Sequence, residues 1–168
     1  MKKTVAVIGS RGAIGNAVVD TLLADESVEA VFKFSRAENT EHDDKVKHIF
    51  IDIEDEESIK QATESLPEDT KFDLIFVATG ILHDEKNVFP EKSIKDISFD
   101  KLIKVLTINT IGPTLVGKYF IPYLRKDSKS TFAFWSARVG SISDNKLGGW
   151  YSYRASKTAL NQIIRNCS

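Results

Sequence analysis

Five short apolar runs recur along the chain, and helical periodicity fills most of the intervals between them. Thr4 to Ile8 reads as a buried strand, and after the glycines that follow it Ile14, Ala17, Val18 and Leu22 recur at helical spacing. Val28 to Phe34 is a second strand. His48 to Ile53 is a third, followed by a helical pattern through Ile59, Ala62 and Leu66. Phe72 to Ala78 is continuously apolar, as expected of a strand covered on both faces. Ile81 to Ser98 has little periodicity and holds Pro90, so it reads as a loop with short helical turns. Phe99 to Leu124 predicts one long helix whose apolar face, built from Leu102, Val105, Leu106, Leu115 and Val116, is interrupted by Asn109. Thr131 to Trp135 is a fifth strand, and a loop from Ala137 to Trp150 leads into a last helical run through Tyr153, Lys157, Leu160 and Ile164. Strands alternating with helices predict an α/β fold around a parallel sheet.

Composition narrows the function classes. At 168 residues the chain is one domain by length, 1–168, long enough to bury a sizeable core. With 42% hydrophobic and 28% charged residues and a formal net charge of −1, it is that of an ordinary soluble globular protein. No basic block points to nucleic acid. No apolar run is long enough to span a membrane, and the four-residue run Val5 to Ile8 after Met1-Lys2-Lys3 is too short for a signal peptide. The single cysteine, Cys167, excludes an internal disulfide and fits a cytoplasmic location. His83 has no second histidine or cysteine at ligand spacing, so it reads as a surface residue and no metal site is expected. The acidic run Glu54 to Glu57 reads as the first turn of a helix.

Candidate chemistry gathers at the strand ends. Gly9-Ser10-Arg11-Gly12-Ala13-Ile14-Gly15 lies between a strand and a helix. There glycines permit a tight turn and let the backbone approach a pyrophosphate at the helix start. About twenty residues further on, where an acidic side chain would hold the ribose 2′-hydroxyl of NAD, stand Ser35 and Arg36. With Arg11 they favour the 2′-phosphate of NADP(H), unless both arginines are only solvated. Asp52 ends the third strand as a cofactor contact or a local cap, and Thr79-Gly80 ends the fourth at the edge where ligands of such sheets sit. Asn109 is structural, a holder of water in a site, or both. Ser136 ends the fifth strand. Tyr153 and Lys157 lie four apart on one helix face, where an ammonium could favour the phenolate; otherwise the tyrosine is core and the lysine surface.

Taken together, the glycine turn, Asp52-Ile53, Asn109 with Gly112 and Pro122, Ser136 and Tyr153-x-x-x-Lys157 resemble the short-chain dehydrogenases/reductases. The run from Ser136 to Lys157 is similar to the C-factor-like subgroup. The resemblance implies a Rossmann-type doubly wound parallel sheet in three α/β/α layers, binding NAD(P) along the glycine turn, Ser35, Arg36, Asp52, Ile53, Ala78, Thr79 and Gly80. It further implies Tyr153 as acid/base, Ser136 polarising the substrate oxygen, Lys157 on the nicotinamide ribose and Asn109 holding a relay water. A homodimer or homotetramer through 99–124 and the Tyr153 helix is implied by the same likeness.

The chain departs from the family pattern at several points. Its glycines are spaced G-x-x-G-x-x-G with Ala13 at the usual middle position, and Val77-Ala78-Thr79-Gly80 stands in place of N-N-A-G. Ser136 precedes Tyr153 by seventeen residues, farther than usual, which makes Ser141 and Ser143 rivals. The sequence stops in the Tyr153 helix, so the last strands of the family fold are expected to be missing and the domain incomplete at its C-terminal end. The expected function is NADP(H)-dependent hydride transfer between nicotinamide and a carbonyl or alcohol substrate. The alternative is a weakly active or inactive nucleotide-binding or signalling protein.

Overall fold

A computed structural model describes residues 2–37, 43–84 and 88–167. The chain forms two compact units, Met1–Thr79 with Leu115–Trp135, and Gly80–Thr114 with Ser136–Ser168. The first holds a five-stranded sheet in the order β3-β2-β1-β4-β5, with β1 Lys3–Ile8, β2 Val28–Ser35, β3 Val46–Phe50, β4 Leu74–Val77 and β5 Thr131–Phe134. All neighbours run parallel, with Ile8 opposite Phe34 on one side and Val77 on the other. The fold is therefore the Rossmann-type α/β sheet expected.

Side-chain alternation explains why both faces are covered. Ala6, Ile8, Phe32, Phe34, Ile75 and Val77 point to one face, where Ile59, Ala62 and Leu66 of the α2 region (helix Glu56–Glu64) and Val116 and Phe120 of α4 (Gly112–Phe120) pack on them. Val5, Val7 and Val31 point to the other, against Val19 of α1 (Ala13–Ala24). Phe34 and Phe120 meet edge to face, with ring centroids 5.1 Å apart. Asp55 caps α2 by accepting from the Glu57 N–H, and Glu56 and Glu57 occupy its first turn.

The second unit is built on α3 (Phe99–Leu106), the Thr107–Ile111 segment and α5 (Tyr151–Asn166). Among the described residues of its loop 81–98 lies one short helical turn, Ile94–Asp96, capped by Ser93.

Two expectations shift. The third strand is Val46–Phe50, not His48 to Ile53. Beyond Ile51 the Asp52 N–H goes to Ser58 Oγ and Asp52 Oδ1 accepts from the Glu54 N–H, so a turn replaces the ladder. The long helix expected over 99–124 is not one regular α-helix. It widens to a π-turn at Thr107–Ile111, with the Gly112 N–H reaching the Thr107 carbonyl, and ends in a tight turn at Ile121–Tyr123. Pro113 has no N–H to return to the Asn109 carbonyl four residues back, so the α pattern cannot pass through.

Candidate functional site

In the first unit, strand order reverses between β1 and β4, and just beyond their carboxyl ends lie Gly9 and Thr79. Ligands of open α/β sheets bind at such a switch point. Gly9 has φ 82°, and a Cβ there would lie 2.8 Å from Thr79 Cγ2. A Cβ on Gly15 would lie 2.2 Å from the Gly9 carbonyl oxygen, so the turn closes only around glycine. Gly12 stands at the N-cap of α1 without a side-chain cap, which leaves the helix start to the backbone alone. Ala13, Ile14 and Arg11 are exposed around it.

Not every residue of the turn faces outward. Ser10 is fully buried and its hydroxyl donates to the Phe34 carbonyl at 3.3 Å, tying the turn to β2. Ser35 is buried as well, its Oγ 2.8 Å from His48 Nε2 on β3. Arg36 is open, its side chain 69% exposed and one guanidinium nitrogen 3.8 Å from Glu54. Asp52 Oδ1 accepts from the Glu54 N–H in the turn before α2, with Ile53 half-buried beside it and Ala78 half-buried at the end of β4.

Thr79 Oγ1 is buried and has no hydrogen-bond partner. An unmet hydroxyl on a residue packed against Gly9, beside a turn that admits no Cβ at Gly9 or Gly15, suits the close approach of a dinucleotide.

The second unit holds the proton-transfer candidates. Tyr153 and Lys157 share one face of α5, with the Lys157 ammonium 6.0 Å from the tyrosine ring centroid. Lys157 is 1% exposed, and burial pushes its ammonium down to about 8. Burial also raises the Tyr153 phenol above its ordinary value. In this structure, then, desolvation acts on both groups, and the lowering of the phenol expected from the neighbouring ammonium is not its resting state.

Gly80 makes room for this pair: a Cβ there would stand 3.3 Å from Lys157 Nζ and 3.4 Å from Asn109 Oδ1. Asn109 is completely buried at the π-turn. Its Oδ1 accepts from the Ile81 N–H at 2.7 Å, and its Nδ2 donates to the Ile81 carbonyl at 2.9 Å and to Ser156 Oγ at 3.0 Å. Both amide protons are thus committed, and the side chain ties the Gly80-Ile81 turn to α5. Its Oδ1 accepts one hydrogen bond and keeps a second lone pair.

Ser136 donates to Asn161 Oδ1 at 2.6 Å, and Asn161 is one turn beyond Lys157 on α5. Ser136 is therefore anchored to the stripe that carries Tyr153 and Lys157. Its rivals bond instead to each other, Ser141 Oγ 3.2 Å from Ser143 Oγ. His83 is exposed, and no cluster of metal-ligand type occurs among the described residues.

Sequence reasoning missed two parts of this unit. Ser156 accepts from Asn109 and donates to the Tyr153 carbonyl at 2.8 Å. Glu91 is buried against the start of α5, its carboxylate accepting from the Ser152 hydroxyl and from the Ser152 N–H at 3.2 Å. Pro113 was the available signal for the π-turn. Nothing in the local pattern around Glu91 marks it, because its partners lie some sixty residues away.

Comparison with known proteins agrees with the fold. Residues 3–168 match the short chain dehydrogenase family, and the chain belongs to that family. It is 36% identical over 76 residues to C-signal of Myxococcus xanthus, covering 45% of this chain and 46% of that protein. It is 30% identical over 117 residues to 1-hydroxy-2-glutathionyl-2-methyl-3-butene dehydrogenase of Rhodococcus sp. (strain AD45), covering 69% and 48%. The chain thus spans about half the length of these curated relatives. Among solved structures, NADPH-bound carbonyl reductase from chicken fatty liver superposes with a TM-score of 0.81 at 26% identity, over 98% of this chain and 69% of that one. A short-chain dehydrogenase/reductase from Burkholderia multivorans with bound NADP has the same fold, with a TM-score of 0.85 at 24% identity over 99% and 72%. No helix among the described residues is long and apolar enough to cross a membrane.

Proposed function

We propose that this chain is an NADP(H)-dependent oxidoreductase that interconverts a carbonyl and an alcohol, with Tyr153 as the proton donor and acceptor. The observation that carries the reading is the buried Lys157, one helical turn from Tyr153 and packed on Gly80 and Asn109. Burying an ammonium is costly, and a lysine serving only as a surface charge would not bear that cost.

When bound, NADPH supplies the hydride to the carbonyl carbon. The glycine turn would hold its pyrophosphate at the start of α1, with Thr79 offering its unpartnered hydroxyl. Arg11 and Arg36 would take the 2′-phosphate; Ser35 serves by holding the strand end, since its hydroxyl already meets His48. Tyr153 Oη gives its proton to the substrate oxygen. Lys157, cationic near neutral pH, favours the phenolate left behind. Ser136 donates a hydrogen bond to the same oxygen once it releases Asn161. Asn109 fixes the turn and helix that carry these groups, and in this reading it also holds a relay water.

A second reading, nucleotide binding with negligible turnover, is favoured by the likeness to C-signal, a protein named for a signal rather than a reaction. Titration of the purified chain with NADPH and NADH, followed by nicotinamide fluorescence, tests the cofactor half of the proposal. NADPH binds more tightly if it is right, and Arg36→Ala narrows the difference; equal affinities would remove the case for NADP(H).

A further inference from the structure

We propose that Glu91 is a positioning residue that sets the start of α5, and with it the Tyr153 phenol. Glu91 is 3% exposed and Ser152 is 2% exposed, so the contact between them is sealed from water. The Ser152 hydroxyl donates to Glu91 Oε1, and the Ser152 N–H donates to Oε2 at 3.2 Å. The Glu91 carbonyl accepts from the Trp150 N–H at 2.6 Å. One residue of the 81–98 loop thus grips both residues that flank Tyr151, immediately before Tyr153.

The backbone it grips is unusual. Gly148 and Gly149 both have φ 66°, and Trp150 follows at φ 52°, the one non-glycine residue with positive φ among those described. A tryptophan holds that conformation only where its surroundings dictate it. Gly149 sits under the clasp, since a Cβ there would come within 3.2 Å of the Glu91 carbonyl oxygen. Trp150 gives α5 no side-chain cap, so the Glu91 carboxylate supplies the acceptor that a serine or aspartate supplies elsewhere. The pinned indole meets the Tyr153 ring edge to face, with centroids 6.3 Å apart and planes at 76°. A cap from the N-cap residue itself would satisfy the helix without burying a charge. A cap from Glu91 also fixes where the helix begins relative to its loop.

This inference rests on Tyr153 being the proton donor, so its test includes a readout that does not need turnover. The full chain is prepared with its tyrosine rings carbon-labelled, and the Tyr153 phenol is titrated by NMR in wild type, Glu91→Gln, Glu91→Asp and Ser152→Ala. Glu91→Gln keeps the shape but turns an amide N–H2 toward a Ser152 donor. Arg154, which donates to the Gly149 carbonyl at 3.1 Å, and Lys157 are the same in every variant. The expected result is a phenol that ionises at lower pH in Glu91→Gln, because water enters and the carboxylate no longer opposes the field of the helix start. Glu91→Asp restores part of the shift, and Ser152→Ala moves it in the same direction. With phenanthrenequinone as the carbonyl, kcat in Glu91→Gln falls about tenfold while the KM for NADPH stays within error. An unchanged phenol in folded Glu91→Gln overturns the proposal. Should Glu91→Gln not fold, an unchanged phenol in Ser152→Ala overturns it equally. If wild type reduces no carbonyl, the activity reading fails while the phenol titration still decides the clasp.

Discussion

Lys157 and Gly15 are each held where another residue type would be easier to place, for opposite reasons. The Lys157 ammonium is buried and lowered from its ordinary value of 10.5 to about 8. Between those values the unfolded chain binds more protons than the folded one, so stability rises with pH across that window and the burial cost is fully felt below it. Lys157→Met, which keeps the length and removes the charge, is expected to raise stability near pH 7 by up to about 3 kcal/mol. The gain should shrink toward pH 10, as paired thermal melts at both values would show. A gain independent of pH would mean that packing rather than charge is at issue. At Gly15 the constraint is steric: the Cβ of Gly15→Ala meets the Gly9 carbonyl at 2.2 Å, while that of Gly12→Ala meets it at 3.5 Å. Gly15→Ala should cost roughly 1–3 kcal/mol and abolish NADPH binding, whereas Gly12→Ala should bind NADPH within about a few fold of wild type. Fluorescence titration of the two variants distinguishes a turn that closes on glycine from one that merely contains it. The sequence predicted the glycine turn and the Tyr153/Lys157 pair because both rest on local spacing. Burial was not legible there: the Ser10 hydroxyl, in the glycine turn, and the Ser35 hydroxyl, at the end of β2, both turn inward.

The elements were legible where periodicity was strong. β1, β2, β5 and α5 lie where the apolar pattern puts them. The end of β3 was not legible, since Ile51 and Ile53 continue the pattern while the Asp52 and Ser58 side chains divert the backbone into a turn. The π-turn was missed because apolar spacing on both sides hides Pro113. Asn109 was recognised as an interruption of the apolar face, but its partners, Ile81 and Ser156, lie on other elements and no local rule finds them. At this scale the β2 end also carries a prediction. Arg36 lies 3.8 Å from Glu54 across a long, weak ion pair, so in the proposed reading Glu54 would compete with a cofactor 2′-phosphate for the same guanidinium. Glu54→Gln should strengthen NADPH binding by about two- to fivefold and leave NADH unchanged, measured by the same titration; a parallel change in both cofactors would show that Arg36 does not read the phosphate.

For the molecule as a whole, the sheet with its two covered faces and the family match over residues 3–168 establish what kind of protein this is. They do not by themselves supply an activity, because the same framework can bind a nucleotide without turning it over. The central claim is that Tyr153 exchanges a proton with a carbonyl substrate, supported by a buried lysine one turn away. Its most direct test follows NADPH absorbance with phenanthrenequinone present, comparing wild type with Tyr153→Phe. The account predicts that wild type consumes NADPH and that Tyr153→Phe binds NADPH normally while its rate falls by about 10²- to 10⁴-fold. Equal rates in the two proteins would contradict it.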